Sequence, residues 1–335
     1  MAEATTSVVE KSAERAAPKK SLQLNEKLIG ILMISPSVIA IAVFVYGFIA
    51  WTGWVSLSRW RGIVADLSYA GFENYINVFK SYRFQTDIRN TIVFTLFFLL
   101  GSLVIGLLLA MLVDSRVKGE SFFRTVYLFP MALSFVVTGT AWQWLFSPGT
   151  PQEPHGLNQL FHMFGLHVYQ NWSTTSYVWP GGGWRPDWLR IPVGIPVAMI
   201  PVIVAAIWQM SGFTMAMYLA GLRGIPEDLK EAARVDGASE WQIFRKITLP
   251  LLQPITLSAV IVLGHISLKI FDLIITQTGG GPGFATDVPG IYMYETTFKS
   301  NKYAEGAAVA IIMLLLVSVL IIPYLIYNMR SETER

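Results

Sequence analysis

The chain has no cysteine among its 335 residues. That absence excludes a disulfide framework, a zinc-thiolate site and a catalytic thiol. Charge is scarce as well: Asp, Glu, Lys and Arg make up 14% of the residues, where a soluble domain carries about 25%. A deficit of that size argues against an ordinary soluble enzyme. The 53% of hydrophobic residues excludes wholesale disorder. There are four histidines and no His-Glu-x-x-His pattern, so no metal site is expected. No Gly-x-x-x-x-Gly-Lys-Ser/Thr segment occurs; any ATP hydrolysis would fall to another polypeptide. The net charge of +3 is small, and a nucleic-acid partner is not expected.

What is present is apolar sequence in long runs. A membrane-spanning helix needs about 20 predominantly apolar residues. Leu28–Ser58, Asn90–Val113, Thr125–Gln152, Ile191–Leu222 and Gly306–Met329 are free of charge, and Ile247–Leu268 has only His265 as an ionisable group. These runs predict an all-α polytopic membrane protein with six spans, near 28–54, 91–113, 126–146, 197–220, 249–268 and 306–328. Strands of a membrane barrel would alternate with period two instead. The first run is too long, and too far from the start, for a signal peptide, whose apolar region is about 7–15 residues. Residues 1–27 read as a polar, disordered tail, 28–329 as the transmembrane domain and 330–335 as a short C-terminal end.

Six spans put both ends on one side. The tail, the 114–124 and 223–246 loops and the C-terminus hold 15 Lys and Arg against 10 in the longer opposite loops 59–89, 147–190 and 269–305. Positive charge stays inside, so both termini are expected in the cytoplasm.

The 223–250 segment is the most informative. Pro226 suits a first helical position, and Glu227 and Asp228 complement the helix's positive end. Gly237 reads as a helix stop. Ser239 and Gln242 form a capping box that starts a second helix, on which Trp241, Phe244 and Ile247 make an apolar stripe. Pro250 marks re-entry into the membrane. The pattern predicts a cytoplasmic helix–turn–helix able to dock into a partner's groove.

Glu231-Ala232-Ala233, Gly237 six residues after the Glu, and Ile247-x-Leu249-Pro250 together resemble the EAA motif of inner-membrane permease subunits in binding-protein-dependent ABC importers. Gly71-Phe72-Glu73-Asn74-Tyr75 with Asn90-Thr91, Phe122-Phe123-Arg124-Thr125 with Pro130, Trp142-x-x-Leu145-Phe146 and Ala220-Gly221-Leu222-x-Gly224-Ile225-Pro226 are similar to the same family. Phe271-Asp272-Leu273-Ile274 with Thr278 to Pro282 resembles its carbohydrate-uptake branch, and within it the first permease of maltose- and glucose-type systems. The chain lacks the large extra periplasmic domain of some maltose permeases.

The resemblance implies a multi-pass permease of a bacterial or archaeal inner membrane that is not itself an enzyme. Its implied partners are a second homologous permease, an ATPase dimer carrying ATP and magnesium, a periplasmic or lipid-anchored sugar-binding protein, the sugar and membrane lipid. No cofactor is expected on this chain. Glucose or mannose is the expected sugar type, a disaccharide or α-glucoside the alternative. The implied coupling residues are Glu231, Ala232, Ala233, Asp236, Gly237, Leu249 and Pro250, with Glu231 facing a basic residue of the ATPase.

Other features leave two readings open. His265, Lys269 and Asp272 fall at i, i+4 and i+7 on one helical face; they are either an interfacial group with a Lys269–Asp272 pair or a polar patch at the mouth of a path. Gly280 and Gly281 are either a tight external turn after the fifth span or part of a binding-protein contact or gate. The 147–190 loop, with His155, Trp172, Tyr177, Trp179, Trp184 and Trp188, is either an interfacial aromatic belt or a ligand or binding-protein contact. A secondary transporter driven by an ion gradient is the rival function. Such proteins usually have more spans and charged intramembrane relays.

Overall fold

The structure, a computed structural model, describes residues 26–115, 119–166, 170–186 and 189–333. The expected tail through residue 25, and Trp188 of the aromatic loop, lie outside the described residues. The chain divides into two compact units, through Trp51 and from Thr52 onward. The first is helical: α1 (Glu26–Ile41) and a π-helical turn, Ala42–Gly47, which run on into α2 (Phe48–Ser56).

The second unit takes in the end of α2 from Thr52 and continues with α3 (Glu73–Lys80), α4 (Tyr82–Asp114), α5 (Glu120–Leu128), α6 (Phe135–Leu145) and α7 (Gly156–Met163). A hairpin of β1 (Val178–Trp184) and β2 (Val193–Pro196) leads into α8 (Met199–Arg223). Then come α9 (Glu227–Val235), α10 (Glu240–Ile243), α11 (Leu249–Leu251), α12 (Gln253–Leu268), α13 (Asp272–Gln277), α14 (Pro289–Tyr294) and α15 (Tyr303–Thr333). By length and composition, four helices among the described residues can cross a membrane, or up to six if each of two bent pairs counts as one span.

The core forms where α4 lies along α8. Phe94 and Phe98 of α4 pack with Val202 and Ala206 of α8, Leu263 of α12 and Leu273 of α13. Small residues set the closeness, as in helix pairs that associate in lipid. A Cβ on Gly101 would strike the Ile207 side chain, and one on Gly106 would meet Thr214 at 2.6 Å. Gly139 of α6 has the same relation to Thr276 and Leu273.

Two expectations are corrected and another is extended. The described chain is not purely α-helical, because β1 and β2 pair antiparallel with Val178 opposite Pro196. Gly183 and Gly194, both at positive φ, admit that pairing: a Cβ on Gly194 would meet the Trp179 carbonyl at 2.6 Å.

Second, the helix that contains the expected 91–113 span is longer than the span, since α4 begins at Tyr82. Arg83, Asp87 and Arg89 read as loop charges, but they lie within the helix, where Asp87 and Arg89 are buried and the two arginines find polar partners.

Third, the 126–146 run is not straight. The chain turns by 98° between Glu120–Ala132 and Phe135–Leu145. Pro130 has no N–H to donate to a preceding carbonyl. Leu133 is extended (φ −79°, ψ 147°), and Ser134 restarts the helix by accepting from Val137 N at 3.2 Å. Buried Gln209 of α8 donates to the Leu133 carbonyl at 2.8 Å. In lipid a broken helix survives only when neighbours satisfy the freed backbone groups, and Gln209 does so here. A second bend, of 59°, separates Glu240–Leu251 from Gln253–Leu268, between Pro250 and Pro254.

Candidate functional site

Three places on the second unit combine polar or aromatic chemistry with a defined geometry. The first is the corner formed by α9 and α10. Pro226 caps α9 with φ −56° and ψ 129°, so the first helical position falls to Glu227, one residue after the place that the sequence suggested. Gly237 ends the helix at φ +82°. Ala238 N donates to Ala233 O at 2.9 Å and Gly237 N to Arg234 O at 3.1 Å, which closes a Schellman-type stop. The Ser239–Gln242 capping box is complete: Ser239 N donates to Gln242 Oε1 at 2.8 Å, and Gln242 N donates back to Ser239 Oγ at 3.4 Å. Trp241 stacks on Phe244 with centroids 5.5 Å apart.

Arg234 locks the corner, donating from Nε to Glu240 Oε1 at 2.8 Å and from Nη1 to Glu227 Oε1 at 3.4 Å. The Lys230 charge, then Arg234, hold the Glu227 carboxyl below its usual range. The Arg234 hydrogen bond does the same for Glu240. Glu231, Ala232, Asp236, Gly237, Leu249 and Pro250 are exposed and Ala233 is half-buried. Glu231 forms no ion pair among the described residues. Val235 and Trp241 are 88% and 66% exposed, so apolar and anionic groups share an unpartnered surface. Beside it opens a polar cleft of about 930 Å³ lined by Asp114, Glu120, Arg223, Glu227, Lys230 and Arg234.

At the Tyr82 end of α4 a buried polar cluster joins three segments. Asn90 Nδ2 donates to the Phe284 and Asp287 carbonyls at 2.9 and 2.8 Å. Arg89 donates to Asn90 Oδ1 at 2.8 Å and to the Pro192 carbonyl of the hairpin at 2.9 Å. Arg83 pairs with Asp287 at 2.5 Å and Glu295 at 2.8 Å, with its guanidinium 4.7 Å from the Phe284 ring centroid. Gly280 and Gly281 shape the loop that Asn90 holds. Both have positive φ, Thr286 N donates to Gly280 O at 3.0 Å, and Thr278 and Thr286 hydroxyls meet at 2.7 Å.

His265, Lys269 and Asp272 do not share one helical face. Helix α12 stops at Leu268, Phe271 is non-helical (φ −138°, ψ −59°), and Asp272 opens α13. Lys269 Nζ lies 3.4 Å from His265 Nε2, and no Lys269–Asp272 ion pair occurs among the described residues. Ile270 is drawn into the core, which breaks the helical run on which the spacing argument depended.

The third place escaped the sequence reading. A cavity of about 510 Å³ lies among α4, the α5–α6 bend and α8, walled by Tyr127, Pro130, Trp142, Ile207, Trp208 and Ser211, with no ionisable acid or base among its lining residues besides the Tyr127 phenol. Trp142 and Trp208 meet edge to face, 5.7 Å between centroids. In the sequence Trp142 belongs to one short motif and Trp208 to none, and the 98° bend brings the first against the second.

A family model described as the inner membrane component of binding-protein-dependent transport systems matches residues 102–331. A probable ABC transporter permease of Pyrococcus horikoshii is 41% identical, over 90% of this chain and 96% of its own length. A xylose/arabinose import permease of Haloferax volcanii is 34% identical over 88% of this chain and 86% of its own. A trehalose/maltose transport system permease of Thermococcus litoralis is 30% identical over 91% and 95%. A chain from the crystal structure of a bacterial alginate ABC transporter, in complex with an alginate pentasaccharide-bound periplasmic protein, shares the fold, with a TM-score of 0.68 at 23% identity over 89% of this chain and 92% of that one.

Proposed function

The chain belongs to the inner membrane components of binding-protein-dependent transport systems, and from that premise we propose that it forms half of the translocation path of an ATP-driven sugar importer. Six spans, counting each bent pair as one, carry both termini in the cytoplasm. The transmembrane domain covers residues 28–329. The rival reading, a transporter driven by an ion gradient, finds no support in this membership.

The α9–α10 corner is the coupling element, and Glu231, exposed and without an ion pair among the described residues, is the observation that carries this assignment. An ATPase subunit presents a groove with a basic residue to Glu231. Ala232 and Ala233 permit close approach, and Gly237 sets the angle between the two helices. ATP and magnesium sit on that ATPase pair. ATP binding favours one orientation of the permease pair only if it makes different contacts in the two states, and this corner is where those contacts change. The second permease completes the path, and a periplasmic or lipid-anchored binding protein delivers the sugar to the end of α4 at which Asn90 stands.

The aromatic cavity suits an uncharged sugar. Flat Trp and Tyr faces pack against sugar rings, Ser211 and the Tyr127 hydroxyl supply hydrogen bonds, and the lining presents no acid or base to a charged substrate. A glucose- or mannose-type sugar is the substrate assigned here. Relatives named for pentoses and for disaccharides supply the competitors for the test. The experiment is uptake of labelled sugars by the four-subunit transporter in proteoliposomes, with the cognate binding protein and ATP. Trp208→Ala should lower uptake of the preferred sugar several-fold at unchanged ATPase assembly. Uptake unaffected by that change would remove the cavity from the path, and ATP turnover by the isolated chain would refute the division of labour.

A further inference from the structure

Asp87 is the one fully buried acid whose two carboxyl oxygens have no hydrogen-bond donor among the described residues. A buried, unpaired carboxylate is among the costliest groups a fold can hold. Its neighbours account for the missing donor. Arg83 and Arg89 stand on the same helix, but Arg83 turns Nε to Asp287 and Nη2 to Glu295, and Arg89 turns its guanidinium to Asn90 and the Pro192 carbonyl. Arg83 and Asn90, one turn to either side of Asp87 on α4, both bind Asp287 of the loop before α14, and this sets the Asp287 carboxyl group against Asp87. Tyr292 of α14 also faces this group, but its hydroxyl donates to Glu305 at 2.6 Å. Glu295, in the π-helical turn Glu295–Lys299 that follows α14, pairs with Arg83 at 2.8 Å.

Two carboxyl groups in contact cannot both be ionised at little cost, and a carboxylic acid is the only one of the two forms that donates. The two acids are not equivalent. Asp287 accepts from Arg83 Nε at 2.5 Å and from Val288 N at 3.1 Å, which favours its ionised form. Asp87 accepts from nothing among the described residues. The geometry points to a buried proton site in which Asp87 is the acid and its O–H donates to the Asp287 carboxylate, fastening the Gly280–Asp287 loop to α4.

The proton comes from water as the loop closes and returns to water when the acid ionises; no other bond is made or broken. Opening the clasp leaves two adjacent carboxylates, and their repulsion works against Asn90, which holds the same loop through the Phe284 and Asp287 carbonyls. The loop is therefore held most firmly where Asp87 is protonated, and the hold weakens as pH rises through that ionisation. In the orientation proposed above, the clasp lies at the outer face.

The test uses the assembled transporter in detergent or nanodiscs. Infrared spectra at neutral pH should contain a protonated-carboxyl C=O band that Asp87→Asn removes. The melting temperature of the wild type should fall on the alkaline side. Asp87→Asn should be flat there, because its amide donates to Asp287 at every pH. Should Asp87→Asn fail to assemble, Asp287→Asn serves: its amide donates to Asp87, which then ionises, and the band is lost as well. A wild type without the band, a band unchanged in both variants, or an alkaline melting profile in Asp87→Asn identical to wild type would each overturn the assignment.

Discussion

Gly237 and Glu231 show how a single residue can matter through what it leaves open. Gly237 stands at φ +82°, and a Cβ there would find open space within 4 Å, so backbone conformation and not crowding requires the glycine. A non-glycine residue there costs about 1–2 kcal/mol, which a helical membrane protein tolerates. Gly237→Val should therefore insert at normal levels but tilt α10 away from its docking angle. Glu231→Lys should likewise leave the fold intact and place a cation against the expected basic groove. For both variants the expected result is loss of sugar uptake and of ATPase pull-down, with the binding protein's sugar affinity unchanged. Normal uptake at normal membrane levels would show that the corner does not couple. The corner was readable in the sequence because its signals are local: a Gly stop, a Ser-x-x-Gln cap and an EAA spacing all lie within one short segment. The Asn90 cluster was not, although Arg83, Asp87 and Asn90 repeat at i, i+4 and i+7 ahead of an apolar run. Their partners lie near residues 192 and 287, and no local pattern announces a contact at that separation.

At the scale of elements, the α5–α6 bend depends on one donor. Gln209→Leu removes the hydrogen bond to the Leu133 carbonyl while roughly keeping volume, and leaving a buried carbonyl unpaired costs about 1–3 kcal/mol. A lower melting temperature is expected, with the aromatic cavity distorted and uptake reduced. An unchanged melting temperature would mean that the bend is held by Pro130 and Ser134 alone. The α9–α10 corner has a pH dependence of definite sign. Glu227 and Glu240 have carboxyl groups held below their ordinary range by Lys230 and Arg234. Their contribution is complete above the ordinary carboxylate range and is lost as pH falls through the depressed values. Amide exchange at Ala238 and Gln242, corrected for intrinsic rates, should rise only in acid; a rise at neutral or alkaline pH would contradict the ion-pair account. Composition disclosed that these elements exist, but not where they break, because a charge-free run looks the same whether it is straight or folded back on a buried glutamine.

For the whole molecule, the absence of native cysteine makes orientation directly measurable. Gly156 is a poor probe site, since its φ is +53° and a Cβ would strike the Leu145 carbonyl. Met163, 76% exposed, serves better. Met163→Cys should react with an impermeant thiol reagent on intact spheroplasts, and Ser331→Cys only after permeabilisation; the reverse pattern would invert the topology. The long α4 adds a mechanical consequence. Its 33 residues make a rod about 50 Å long at 1.5 Å per residue. Near one end Asn90 grips the Gly-rich loop, and Gly106 is keyed against Thr214 of α8, which leads through Gly224 directly into the coupling corner. A rod keyed at two points has a phase as well as a length. Inserting one alanine between Asn90 and Gly106 would rotate one grip against the other by about 100°, so a transporter that is indifferent to many apolar replacements along α4 should be disabled by a single added residue with no change in its chemistry.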